Sequence, residues 1–396
     1  MKEAQLLSDM LERRKPLDLL FPLKGGASNE VGVRKEGMTA AQRLRAAVNL
    51  TADAVKAVSL TAMEALREGA AFIGIVGEQD ELIDPFHHLD APIWARDPPV
   101  ELLRLAYSYC EELTMREAGN FYHSFKYLPE EQRSAMCAVY AFCRRADDIA
   151  DGDWQDRFPG SQGEMDPEAV AYRLELESLQ NKDTILQEDL YLEKITQLFF
   201  FRKKLSTCYS TTSSTDPVFL ALKDTVTRYN IPRTVFDDLI TGMEDDLYNN
   251  RYRTFDELYI YCYRVASVVG LMCIEIYGYD DPRAKKFAES WGIFMQLTNV
   301  LRDVGEDIQR NRVYLPLNEL EANGINEPEL NGDVVLNTTW EPYIHHYAKR
   351  ARTYLEEAKQ LLPLLPRRTR YSPAAMIAFY DKILKQIERQ QGDVFT

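Results

Sequence analysis

From Pro99 to about Pro363 the chain reads as an almost unbroken succession of helices. Apolar residues recur at spacings of three and four, and the strict alternation of a strand is scarce. Short Pro, Gly and Asn stops divide the run at Pro129, at Asn230-Ile231-Pro232, from Gly278 to Pro282 and at Pro316. The pattern predicts several helices of about 15 to 25 residues and hence an all-α domain. One or two closing helices are expected over 342–392, split at Pro363 and Pro366. Trp154 to Asp166, with Pro159, Gly160 and Gly163, reads as a loop inserted into the domain, and Ser206 to Asp216 as a polar turn.

Residues 1–100 have another texture and form a leader of unassigned role, set before the helical domain over 101–396. Gly25-Gly26 and the polar stretch to Gly37 predict a loop, and Thr39 to Glu68 a helix. The apolar run Gly69 to Gly77 is about half the length a membrane span needs. Met1 to Lys15 mixes acids and bases, unlike a secretory signal or a transit peptide. The expectation is a cytoplasmic chain, or a plastid one if a transit segment has been removed. Ala54 to Val76 is the stretch suited to peripheral contact with a membrane surface; packing on the catalytic domain is the competing reading.

Forty-seven Lys and Arg against 62 Asp and Glu leave a net charge of −15. That balance argues against nucleic acid as a partner, which requires a basic footprint. An anionic ligand must then be held locally, by a few Arg residues or by metal ions bridging carboxylates. The six cysteines are scattered, most within apolar stretches, and read as reduced core residues. The pairs His87–His88 and His345–His346 have no metal-ligand company nearby.

Two acidic stripes carry the chemical information. In Ala138 to Asp153, Arg144, Asp147 and Asp151 are spaced three and four apart, which puts them on one helix face, with Asp148 one step off. In Trp291 to Asp307, Gln296, Asn299, Asp303 and Asp307 repeat that placement, and Ile293, Phe294, Leu297, Val300 and Leu301 occupy the other faces. A helix apolar on its remaining faces is packed on most sides, so its polar stripe must face a cavity, a partner stripe or water. Paired carboxylates repel unless a counter-charge joins them. Oxygen-only ligands suit Mg²⁺, which keeps waters and bridges carboxylates to substrate phosphates. Three readings stay open at this point: Mg²⁺–diphosphate chemistry, a di-iron bundle and a structural network. The di-iron case needs Glu-x-x-His pairs, and no such pair occurs.

CRRADDIAD and QLTNVLRDVGED resemble the two aspartate-rich motifs of the squalene/phytoene synthase family. GMEDDLYNNRYRTFDELYIYCYRVASVVG (242–270), RVYLPLNEL (312–320) and AFYDKILKQIERQQGDVF (378–395) follow in the family's order, so the resemblance spans roughly 105–396. It implies an isoprenoid-synthase helical bundle with a central active-site cavity. It also implies a prenyltransferase that joins two prenyl diphosphates head to head through a cyclopropylcarbinyl diphosphate.

By that resemblance Asp147, Asp151, Asp303 and Asp307 are metal ligands, with Asn299 and Gln296 on the same stripe. Mg²⁺ is the implied ion, with Mn²⁺ as a substitute. Arg144 and Arg302 match diphosphate-contacting arginines, for which guanidinium forks are suited; a salt bridge to Glu306 is the alternative for Arg302. Tyr261 and Tyr380 match tyrosines lining the cavity, against a reading as satisfied core tyrosines. Gly270 matches a glycine passed closely by the prenyl tail, against plain helix packing. The family often has His or Ser before the Phe of the first helix; here Asn120 precedes Phe121, and Arg116 is the nearby basic substitute. Asp245 before Asp246 is a second departure.

The context RxRVYLP after the second motif, and CRR before the first acids, favours condensation of two geranylgeranyl diphosphates to phytoene. The runner-up is C30 condensation of farnesyl diphosphate to presqualene diphosphate, squalene or dehydrosqualene. NADPH is not expected unless squalene is the product. A non-catalytic assembly factor on the same fold is the third reading. Oligomeric state cannot be read from these residues.

Overall fold

The computed structural model describes residues 100–153, 188–211, 213–214, 216–330, 339–390 and 392–394. The leader helix, the apolar run after it, His87–His88 and the Trp154 to Asp166 loop lie outside the described residues. Within them every named element is a helix, and Arg251 and Val313 form an isolated bridge.

The helices are α1 (Val100–Glu117), α2 (Gly119–Phe125), α3 (Glu130–Asp151), α4 (Glu188–Leu205), α5 (Pro217–Tyr229) and α6 (Arg233–Tyr248). Next come α7 (Phe255–Cys262), a π turn (Tyr263–Ser267), α8 (Val268–Tyr277), α9 (Arg283–Arg302) and α10 (Val304–Gln309). Then follow α11 (Leu317–Ala322), α12 (Trp340–Lys359) and α13 (Tyr371–Arg389). The predicted stops mark real boundaries. Pro129 precedes α3, Asn230 closes α5 in the left-handed conformation at φ 52°, and Pro316 precedes α11. Asp216 caps α5 by accepting from the Val218 N–H at 2.9 Å, with Pro217 at the first helical position.

Two central helices organise the bundle. α3 packs against α1, α4, α5, α6 and α8, and α9 against α8, α12 and α13. Phe142 of α3 meets Phe201, Phe219 and Phe236 at ring distances of 4.7 to 5.9 Å, which ties α4, α5 and α6 to its back. Gly292 lets α9 touch the π turn, since a Cβ there would stand 2.3 Å from the Ser267 Cα. A Cβ on Gly270 would stand 2.7 Å from the Ala288 carbonyl oxygen, so this glycine sets the α8–α9 approach.

All six cysteines are buried free thiols, as expected of core residues. His345 and His346 are exposed on α12.

Candidate active site

A cleft of about 820 Å³, counted to its open mouth, runs between α2, α3, α8, α9 and α13. Its walls are almost wholly apolar: Met136, Val139 and Cys143 from α3 face Cys273, Trp291 and Met295. At one end the lining turns polar, with Tyr140, Gln296, Asn299 and Tyr380. The Tyr140 hydroxyl and the Asn299 Oδ1 are buried without a hydrogen-bond partner among the described residues, and the Tyr380 hydroxyl lies in hydrogen-bond reach of Asn299. Orphaned polar atoms are costly in a core and rare, so two of them on the cleft lining mark a place suited to a ligand.

Beyond that end lie the acids. Asp147 and Asp151 occupy the last turns of α3, which Gly152 closes at φ 86°. Asp303 and Asp307 stand across from them. The single helix expected through Asp307 is in fact broken: α9 ends at Arg302, and Asp303 takes φ −99° and ψ 7° before α10. The shared face survives the break. The Asp303 N–H still donates to the Asn299 carbonyl, and that of Asp307 to the Asp303 carbonyl, both at 2.9 Å.

Cations answer the acids in pairs. Arg144, nearly fully buried, grips Asp148 at 2.7 Å and stands 3.7 Å from Asp147. The off-stripe Asp148 is therefore the partner that orients this arginine. Arg302 forks onto the adjacent Asp303 and not onto Glu306. Asp147 and Asp307 lack so close a partner. Burial, then the neighbouring Asp151 and Asp303 respectively, push their carboxyls up to about 8 and about 7.

Four residues not singled out from sequence complete this end. Asp246, at the end of α6, accepts a hydrogen bond from Tyr314 and pairs with Arg312 at 3.3 Å. Arg312 also stands 4.0 Å from Asp151, so it links the two acidic walls. Lys194 of α4 is partly buried beside Asp151 and Arg312, and burial pulls its ammonium down. The signal for Arg312 and Tyr314 was present in RVYLPLNEL; Lys194 carried none. Asp245, the extra acid of this sequence, turns away and pairs with Arg264.

Other expectations need correction. Tyr261 lies outside the apolar cleft lining; it stacks on Tyr314 at 5.1 Å and bonds within the Asp246 group. Tyr380 does line the cleft. Gly270 sets helix packing and also borders the cleft. Arg116 pairs with the adjacent Glu117 at 2.6 Å on the surface. Asn120 keeps a buried Nδ2 without a partner.

Among the described residues no three His, Cys, Asp or Glu side chains converge into a closed metal cage. The donors are carboxylates on facing walls, which fits an ion that retains water and is shared with a phosphate ligand.

The profile of the squalene/phytoene synthase family matches residues 114–396. The chain belongs to the squalene/phytoene synthase family. It is 35% identical over 315 residues to phytoene synthase 1 of Zea mays, covering 78% of this chain and 68% of that one. It is 34% identical over 303 residues to 15-cis-phytoene synthase of Synechococcus elongatus, covering 73% and 86%. A dehydrosqualene synthase crystal structure superposes with a TM-score of 0.60 at 27% identity, over 76% of this chain and 92% of that one. A squalene synthase from Alicyclobacillus acidocaldarius gives the same TM-score at 24% identity, which speaks for the shared fold. As a member of this family the chain is a prenyltransferase for head-to-head condensation.

Proposed function

We propose that this enzyme condenses two geranylgeranyl diphosphates to phytoene through prephytoene diphosphate, with Mg²⁺. The observation that carries the reading is the junction of an acid-and-arginine end with an almost wholly apolar cleft. Such a site holds a diphosphate at one end and a hydrocarbon tail in the other. Mg²⁺, when held by Asp147, Asp151, Asp303 and Asp307 with Asn299 beside them, neutralises diphosphate charge and eases its departure. Mn²⁺ has the same ligand preference.

Arg144, Arg302, Arg312 and Lys194 supply donors for the phosphate oxygens. Tyr380 and Asn299, in hydrogen-bond reach of one another, sit where the tail begins. Asn120 offers a further buried donor at the first helix. The aromatic faces of Trp291, Phe121 and Tyr140 line the cleft, keep water from the allylic cation and attract its charge. Tyr261 acts on Asp246 at the acid end, and Gly270 leaves room beside the tail.

The identity to phytoene synthases favours the C20 substrate, and the likeness to a dehydrosqualene synthase supports the C30 alternative. Incubation with Mg²⁺ and no NADPH decides between them. Phytoene from the C20 diphosphate is the expected product; turnover of the C15 substrate alone defeats the C40 reading. No release of diphosphate from either substrate would leave the assembly-factor reading.

Chloroplastic and cyanobacterial relatives fit a plastid or cytoplasmic setting. Among the described residues one helical stretch, Phe255–Tyr277, is long and apolar enough to cross a membrane. Half of its apolar window is buried, and its residues line the cleft, so it is a core element here. Peripheral membrane contact through Ala54 to Val76 is a separate proposal, tested by liposome co-sedimentation after deletion of residues 1–95.

A further inference from the structure

At the end of the cleft remote from the acids the lining includes a tyrosine held in a chain of hydroxyls. Two helices agree on the direction. On α3, Met136 lines the cleft eleven positions before Asp147, roughly 16 Å away at the helical rise. One turn further back, the Gln132 Nε2 donates to the Ile276 carbonyl at 2.6 Å, beside Tyr277. On α13, Tyr380 lies next to Asn299 at the polar end, and Ser372 lies eight positions earlier, about 12 Å away. Tyr277 therefore stands at the far end, lining the cleft and 1% exposed.

Its hydroxyl is 2.9 Å from the Ser372 Oγ, which is 3.2 Å from the Ser124 Oγ. Ser124 donates to the Phe121 carbonyl at 2.8 Å. Each hydroxyl has one proton. The proton of Ser124 is committed to Phe121, so Ser372 donates to Ser124 and Tyr277 donates to Ser372. The relay joins α8, α13 and α2, and fixes the ring in the cleft lining.

We propose that Tyr277, locked by Ser372 and Ser124, sets the longest prenyl chain this cleft accepts. The inference rests on the prenyl diphosphate reading of the site and adds the residue that limits substrate length.

The test uses the full chain and unreactive prenyl thiolodiphosphates of C15, C20 and C25 with Mg²⁺. Trp291 lines the same cleft, so its fluorescence reports occupancy. Tyr277→Leu is expected to shift relative affinity toward C25 over C20 by about tenfold or more, because each added buried methylene favours binding once space exists. C15 affinity should stay within about twofold. Ser372→Ala keeps the ring and removes its acceptor; a smaller shift in the same direction is expected, and it serves if Tyr277→Leu does not fold. Unchanged chain-length ratios in folded variants overturn the proposal, as does a fluorescence response to none of the three chains. Binding that depends on Tyr277, in an enzyme that turns over neither C15 nor C20 diphosphate, would retain this inference and defeat the proposed reaction.

Discussion

The Arg302 guanidinium donates two parallel hydrogen bonds to the adjacent Asp303 carboxylate, each at 2.6 Å. A cation and an anion that the proposed reaction needs separately are thus stored on each other. Binding of a diphosphate with its metal ion would exchange the pair, sending Arg302 to phosphate oxygens and Asp303 to the ion.

Asp303→Asn keeps the size and removes the charge. Steady-state turnover is expected to fall on the order of a hundredfold or more, with the fold intact. Circular dichroism melting measured beside diphosphate release checks both halves. Normal specific activity in the folded variant would remove Asp303 from the metal site.

Stability should depend on pH through Asp147 and Asp307, whose carboxyls are pushed up to about 8 and about 7 by burial and by Asp151 and Asp303. Raised folded values mean that the native state holds protons the unfolded chain releases. Their contribution is therefore full below the ordinary carboxyl value of about 4, and it is lost as pH rises through 7 to 8. The metal-free melting temperature should fall across that window. Mg²⁺ with inorganic diphosphate should restore it, and Asp147→Asn should flatten the slope. A flat profile in the wild-type chain would show that these carboxyls titrate normally.

Gly292→Ala places a methyl 2.3 Å from the Ser267 Cα, where backbone meets backbone. The expected loss is about 2 to 3 kcal/mol in urea unfolding. Gly119 has nothing within 4 Å of a built Cβ, and alanine there should be neutral or slightly stabilising. Equal effects at the two positions would contradict the close α9 contact.

Behind the site, Asp216 binds Arg145 at 2.5 Å and Lys204 at 3.3 Å, and it caps α5. Arg145 and Lys204 outweigh burial and hold its carboxyl down to about 2. Asp216→Ala strands a buried guanidinium and should cost about 3 to 5 kcal/mol. Pairing it with Arg145→Met should cost less than the two single changes together. Additive losses would show that the ion pair is uncoupled.

Sequence alone determined the helical class, the main stops and the two acidic stripes, because these depend on local periodicity and on residues with restricted backbones. Pro129, Asn230 and Pro316 end or start helices wherever the chain lies. Asp147 and Asp151 share a face by helical geometry alone, and Asp303 and Asp307 share theirs despite the bend at Asp303. Tertiary structure decided which charges meet. Asp246, Lys194 and Arg312 come from α6, α4 and the segment after α10, and only the packing of α3 against α6 and α4 brings them to Asp151. It also decided that Arg302 takes Asp303 and that Asp245 takes Arg264, choices set by rotamer and neighbour. The far end of the cleft was equally unreadable. Ser124, Tyr277 and Ser372 are ordinary residues in the sequence, far apart along the chain, and their hydroxyls acquire an order only when three helices converge.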